Sequence, residues 1–245
     1  MLQEAWRMSR QLQTKRIKEL PSWDAAFSQT RQALVEACPP EHFGPCRWMR
    51  NVHITGLHQV YNVSLWKDCE CRKERVRQDL EGRDGIPTVA TNLPSRVCNW
   101  AHLDAKINEV LLIHGTTPDK VEEIANYGFD ERLANKCGLY GQGVYFTDQS
   151  CKSFQYSGAK WQDSGCFIIA RVILGHPFPA TGPLKQLKVE PMVDSNDPSK
   201  GRCHSVIAQP GTPTGGQPQV HREFVLFNGR TQAFPEMIVY FKIPY

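Results

Sequence analysis

Short apolar runs, each interrupted by one polar side chain of catalytic type, constrain this chain most. Val110-Leu111-Leu112-Ile113 leads straight into His114-Gly115-Thr116. Val144-Tyr145-Phe146 follows Gly141-Gln142-Gly143, with Lys152, Ser153 and Tyr156 behind it. Glu223 opens the run Phe224-Val225-Leu226-Phe227. Runs of this length read as buried strands. Isoleucine, valine or leucine would be the undemanding choice at each polar position. A buried polar group without a partner costs roughly 1–3 kcal/mol, so such conflicts mark places where a protein handles a ligand.

Around these runs the chain reads as many strands and few helices. Residues 1–20 are polar and basic and predict a helix. Pro21-Ser22 offers a cap for a second helix carrying Trp23, Phe27, Thr30 and Leu34 at helical spacing, ended by Pro39-Pro40. Residues 51–57 alternate as a strand, and Leu57, Tyr61, Leu65 and Cys69 then recur as in a helix. Residues 81–100 hold Gly82, Gly85, Pro87 and Pro94 and read as loop. A helix is expected from Pro118 to Tyr127, with Gly128 as its C-cap. Residues 130–142 form a loop over the candidate site, and Asp148 is placed to cap a helix reaching Tyr156. Cys166–Leu174 is the longest expected strand. Residues 209–219, with Pro210, Pro213, Gly215, Gly216 and Pro218, read as loop before the closing strands, the last from Met237 to Ile243. The fold class expected is a β-rich α+β domain.

The bulk properties exclude several classes. Hydrophobic content of 40% and charge of 22% are ordinary for a globular protein. No apolar run approaches the ~18 residues of a membrane span, and the first thirty residues lack the pattern of a secretory signal. Nine cysteines is an odd, scattered set, as in a reducing cytoplasmic or nuclear compartment. Cys69 and Cys71 are too close for the usual zinc spacing. The net charge of +4 is modest, and the basic groups Lys15-Arg16-Lys18 and Arg72-Lys73-Arg75-Arg77 read as solvated helix faces. Nucleic-acid contact would need clustered charge with exposed aromatics. The oligomeric state is not legible.

The ordered set of motifs resembles the catalytic domain of the poly(ADP-ribose) polymerase family of ADP-ribosyltransferases. The matching pieces are His114-Gly115-Thr116, Gly141-Gln142-Gly143-Val144-Tyr145-Phe146, Lys152-Ser153-Phe154-Gln155-Tyr156 and Glu223-Phe224-Val225-Leu226-Phe227. Val60–Trp66 is similar to the family's opening strand–helix unit. Gly128–Arg132, Cys203–Ile207 and Gln232–Glu236 look tankyrase-like. The resemblance runs from about residue 50 to the C-terminus. It implies an ADP-ribosyltransferase fold of two packed sheets with flanking helices over 50–245, preceded by a helical extension over 1–49. Tankyrases carry a Cys/His zinc site after the Tyr motif; here only Cys151 and Cys166 lie in that region, so no metal is expected.

The resemblance also assigns roles. His114, Tyr145 and Glu223 would form the catalytic triad, with NAD as donor substrate. The Gly115 backbone and the Ser153 hydroxyl would read the nicotinamide amide, and Tyr156 would stack on its ring. Tyr145 and Phe146 would line the other side of that pocket. His114 and Thr116 would hold the adenosine-side ribose, and Glu223 would accept from the nicotinamide ribose. Lys152 would face the acceptor. A protein acceptor is expected, with nucleic-acid ends as an alternative, and with single units or chains left open. Each residue has a plain reading: a strand-end histidine satisfied structurally, a core tyrosine, a strand carboxylate paired nearby. Pairing of Glu223 with adjacent Arg222 is disfavoured because neighbouring strand residues face opposite ways. A Cys/His hydrolase lacks a recognisable nucleophile turn. The remaining rival is an inactive NAD- or ADP-ribose-binding module.

Overall fold

The computed structural model describes residues 17–39, 45–98, 100–159 and 163–243. A five-stranded sheet is antiparallel throughout, in the order β1 (Ile17–Glu19), β2 (His53–Val60), β9 (Ala233–Lys242), β5 (Ser164–Ile173), β3 (Glu109–Thr116). A four-stranded sheet follows the order β4 (Val144–Phe146), β8 (Glu223–Leu226), β7 (Ser205–Ala208), β6 (Pro177–Pro179), with only β6–β7 parallel. The helices are α1 (Ala25–Glu36), α2 (Pro45–Arg50), α3 (Val63–Leu80), α4 (Pro118–Tyr127), α5 (Ser150–Phe154) and α6 (Gly229–Gln232). The chain is thus an α+β fold of two sheets with flanking helices.

The continuous apolar runs have a clear cause. On β3, Leu111 and Ile113 face a core shared with Leu34 of α1 and Met49 of α2, while Val110 and Leu112 face the core between the sheets. β5 divides the same way, Phe167 and Ile169 against Cys166 and Ile168. A sheet buried on both faces needs apolar residues at every position rather than every second one. The second sheet closes the inter-sheet core with Phe146, Phe224 and Leu226, and α3 covers the far end of the first sheet with Leu65, Cys69 and Val76.

Several elements differ from the sequence expectation. Residues 1–16 of the first expected helix lie outside the described residues, and residues 17–19 are a strand: Ile17, Lys18 and Glu19 pair with Val60, Gln59 and His58. An open sheet edge supplies backbone partners that a local propensity reading cannot see. The cap of α1 is Asp24, whose carboxylate accepts the Ala26 N–H at 2.8 Å, so Pro21-Ser22 does not cap it. Trp23 is exposed. Leu57 belongs to β2, and α3 begins only after Asn62, whose side chain accepts the Leu65 amide at 3.2 Å. β9 matches β5 in length at ten residues. It extends back to Ala233 past Pro235, where the register shifts between Ile169 and Ala170. Proline has no N–H for the ladder; the irregularity leaves Glu236 without a Cα partner in the register.

That carboxylate enters a buried ionic network. Arg171 Nε donates to Glu236 Oε1 at 2.7 Å, and Trp100 donates to Oε2 at 3.0 Å. Arg171 also faces Glu109, 3.6 Å away, and Glu109 takes the Lys73 ammonium at 2.6 Å. Trp66 lies under the Arg171 guanidinium at 4.7 Å. Lys73, Glu109, Arg171 and Glu236 are each buried. The network welds α3 to three consecutive strands of the sheet.

Candidate active site

Two strands from different sheets bring the site together. Ile113 and Thr147 exchange both backbone hydrogen bonds, at 2.7 and 3.0 Å, in an antiparallel bridge between the end of β3 and the end of β4. His114 and Tyr145 therefore lie side by side. His114 Nδ1 lies 2.9 Å from the Tyr145 carbonyl. A carbonyl only accepts, so Nδ1 carries the proton and Nε2 presents a lone pair. Burial lowers the His114 pKa, against an upward pull from that backbone bond, so the imidazole is neutral at neutral pH. Phe129 and Phe146 hold its ring at 5.2 and 5.5 Å between centroids.

Register places the carboxylate. Tyr145 stands opposite Val225 and Val225 opposite Val206, while Glu223 stands opposite Ala208. Glu223, Val225 and Tyr145 thus share one face of the second sheet. Glu223 is buried, and its carboxylate takes the Lys152 ammonium at 2.6 Å. Burial pushes the Lys152 pKa down, but the charge and hydrogen bond of Glu223 outweigh it and hold the lysine charged. Its ammonium lies 5.4 Å from the ring of Tyr156, which is exposed.

Two glycines are required by close approach. A Cβ on Gly115 would stand 2.9 Å from the Ser153 carbonyl carbon and closer still to its oxygen. Helix α5 therefore docks its backbone directly on β3, and the Ser153 hydroxyl donates to Ile113 O at 3.3 Å. A Cβ on Gly138 would stand 2.5 Å from the Tyr145 hydroxyl. That hydroxyl accepts the Tyr140 N–H at 2.8 Å and donates to Gly141 O at 2.9 Å, pinning the loop over residues 130–142. Burial raises the Tyr145 pKa, so the phenol stays protonated.

His114, Gly115, Thr116, Tyr145, Phe146, Lys152, Ser153, Tyr156 and Glu223 all line one cavity of about 890 Å³. This lies toward the upper end of the roughly 300–1,000 Å³ common for small-molecule sites. Lys120, Arg132 and Arg230 line it too, beside the acidic Glu123 and Asp130. The Arg132 guanidinium makes three contacts to the Asp130 carboxylate, and the Arg230 amide points at Glu131. Sequence reasoning missed these cations and the Lys152–Glu223 pair. It placed Asp148 as a cap of α5, but Asp148 makes no such cap: Gln149 stands in that position, and the Asp148 carboxylate binds Arg222 and the Asn92 amide. The signal was available in Arg222, a cation facing away from Glu223 that had to find another partner.

Residues 89–204 match the family model of the poly(ADP-ribose) polymerase catalytic domain. The family match includes the His114, Tyr145 and Lys152–Tyr156 segments and stops before Glu223, whose membership of the site rests on strand register. The chain is similar to human "Protein mono-ADP-ribosyltransferase PARP11", 26% identical over 183 residues, 63% of this chain and 47% of that protein. The mouse protein of the same name is 28% identical over 142 residues, 50% of this chain and 36% of that protein. The chain thus matches less than half the length of these curated relatives. Among the described residues, no group of three or more His, Cys, Asp or Glu could hold a metal ion, and no helix is long and apolar enough to cross a membrane.

Proposed function

We propose that this domain transfers ADP-ribose from NAD to a protein acceptor and releases nicotinamide, with His114, Tyr145 and Glu223 as its catalytic residues. Domains of this family use NAD as their substrate. The observation that carries the reading is the gathering of His114, Tyr145 and Glu223 around one cavity large enough for a dinucleotide and lined by Lys120, Arg132 and Arg230.

In transfer the glycosidic bond between the ribose C1′ and the nicotinamide nitrogen breaks. Its electron pair passes to the nicotinamide, which leaves neutral. A lone pair of the acceptor forms the new bond to C1′, and the acceptor's proton passes to a base or to water. The protein's task is positioning and electrostatics. His114, neutral and with Nε2 free, accepts from a ribose hydroxyl. Gly115 offers backbone groups to the nicotinamide amide, and Ser153 turns its hydroxyl to the same group. Tyr156 and Tyr145 enclose the ring, with Phe146 behind. Thr116 supports the adenosine-side ribose. Glu223 accepts from the nicotinamide ribose and stabilises the positive charge that grows at C1′. Lys152 holds that carboxylate and faces the acceptor.

The relatives' names favour transfer of single units, whereas Glu223 is the group that chain growth would use. Labelled NAD given to the purified chain with and without protein acceptors tests the reading. Expected are nicotinamide release, label on protein as single units without a ladder, and inhibition by 3-aminobenzamide. A ladder would indicate chain growth. Thermal stabilisation by 3-aminobenzamide without nicotinamide release would replace the enzyme with a binding module. Neither stabilisation nor release would overturn the site itself.

A further inference from the structure

The strand that carries Glu223 is fastened one residue away by a side chain pointing the other way. Arg222 reaches Asp148 through two contacts, Nε to Oδ1 at 3.2 Å and Nη2 to Oδ2. Asp148 is fully buried, and its Oδ2 also accepts the Asn92 amide at 2.8 Å. The Arg222 guanidinium lies 5.4 Å over the ring of Phe224. The Arg222 carbonyl accepts the Thr147 hydroxyl at 2.7 Å. Thr147 is the residue that bridges Ile113, the neighbour of His114. The segments bearing His114, Tyr145 and Glu223 therefore meet in one knot.

The knot sits where the sheet gives out. The ladder between β4 and β8 ends at Phe146–Phe224, one residue short of Glu223. On that side nothing in the ladder fixes the carboxylate, and the Pro- and Gly-rich stretch 209–219 precedes it. Contacts of the fork type fix orientation as well as distance, and the Thr147 hydroxyl extends the lost ladder by one hydrogen bond.

We propose that Thr147, Asp148 and Arg222 are positioning residues that hold Glu223 in register with His114 and Tyr145 and act on transfer through that carboxylate. This rests on the transfer reading above. A residue that acts only through Glu223 has nothing left to do once Glu223 is disabled, whereas a merely structural residue weakens the protein in either background.

The test is a cycle of Arg222→Gln, Glu223→Gln and the double variant, read as nicotinamide release from labelled NAD. 3-Aminobenzamide binding is measured in parallel. Arg222→Gln should lower kcat about tenfold or more, since small misplacements are costly in positioned catalysis, with KM for NAD and 3-aminobenzamide affinity held within about twofold. In the Glu223→Gln background the same change should cost less than about twofold. Thr147→Val, nearly isosteric, should repeat the pattern if Arg222→Gln does not fold, and Thr147→Ser should restore the parent rate. Equal losses in both backgrounds, a parental rate in Arg222→Gln or Thr147→Val, or a loss confined to KM would overturn the inference. A parent chain that binds 3-aminobenzamide but releases no nicotinamide overturns the transfer reading itself, a separable result measured first.

Discussion

At the scale of single residues, the role proposed for Glu223 is that of a charge and not only of a hydrogen-bond acceptor. Gln is almost isosteric but neutral. Glu223→Gln should fold and still bind 3-aminobenzamide, while transfer falls about 10²–10⁴-fold, the span typical of one positioned catalytic group. That loss is roughly 3–5 kcal/mol of transition-state stabilisation. A variant as fast as the parent would move the site elsewhere. Gly115 makes a different demand. Its missing Cβ is the space that the Ser153 carbonyl fills, so Gly115→Ala should lower stability by about 1–3 kcal/mol, the usual cost of overpacking. Helix α5 should shift with it, weakening 3-aminobenzamide binding. Denaturation curves with and without the ligand separate the two effects, and an unchanged midpoint would refute the packing argument. The sequence marked Gly115 as a backbone that a ligand approaches. That a helix approaches it first depends on Ser153, thirty-eight residues further on by number, and no local pattern carries that. The polar residues in apolar runs were legible because burial makes them costly; the Lys152–Glu223 pair was not, because it joins a helix to a strand from another part of the chain.

At the scale of elements, one phenol ties together two points of the loop over residues 130–142, which backbone hydrogen bonds also join to Leu184 and Leu187. Tyr145→Phe removes both the acceptor for the Tyr140 amide and the donor to Gly141 O. Each hydrogen bond contributes about 1 kcal/mol, so hydrogen exchange at Tyr140 should rise at least about fivefold, with a higher KM for NAD. Unchanged exchange would detach the loop from this tyrosine. Elements with local punctuation could be read directly: α4 matches its expected span of Pro118–Tyr127, with Pro at its start and Gly128, at positive φ, after its end. Those decided at a distance could not. β1 exists because β2 has an open edge, and β9 runs through Pro235 because a register shift in its pairing with β5 absorbs it. The start of α3 was misread because Leu57 and Tyr61 happen to fall four residues apart with Leu65, while Asn62 sets the true boundary.

At the scale of the whole molecule, four histidines whose pKa values fall on folding predict a loss of stability on the acid side. Burial lowers the pKa of His58, His114, His176 and His204. The unfolded chain titrates near 6.5. Between that value and the lower folded values, the unfolded state binds more protons, so stability is present above about pH 6.5 and is lost as pH falls through the folded pKa values. Tm should therefore decline between about pH 7 and about pH 5.5, a range where the lowered carboxylates Asp104 and Asp130 stay ionised. A flat or rising Tm would contradict it.

The network of Lys73, Glu109, Arg171 and Glu236 has a bearing on descent. Removing one member strands a buried charge at a cost of about 3–5 kcal/mol, whereas exchanging the set for apolar residues can be neutral. Single substitutions at these four positions should thus be closed to drift, and a lineage could leave this arrangement only by changing partners together. The four residues would be inherited or lost as a block, and their joint presence would serve as a marker of common ancestry among chains whose surfaces have diverged beyond recognition.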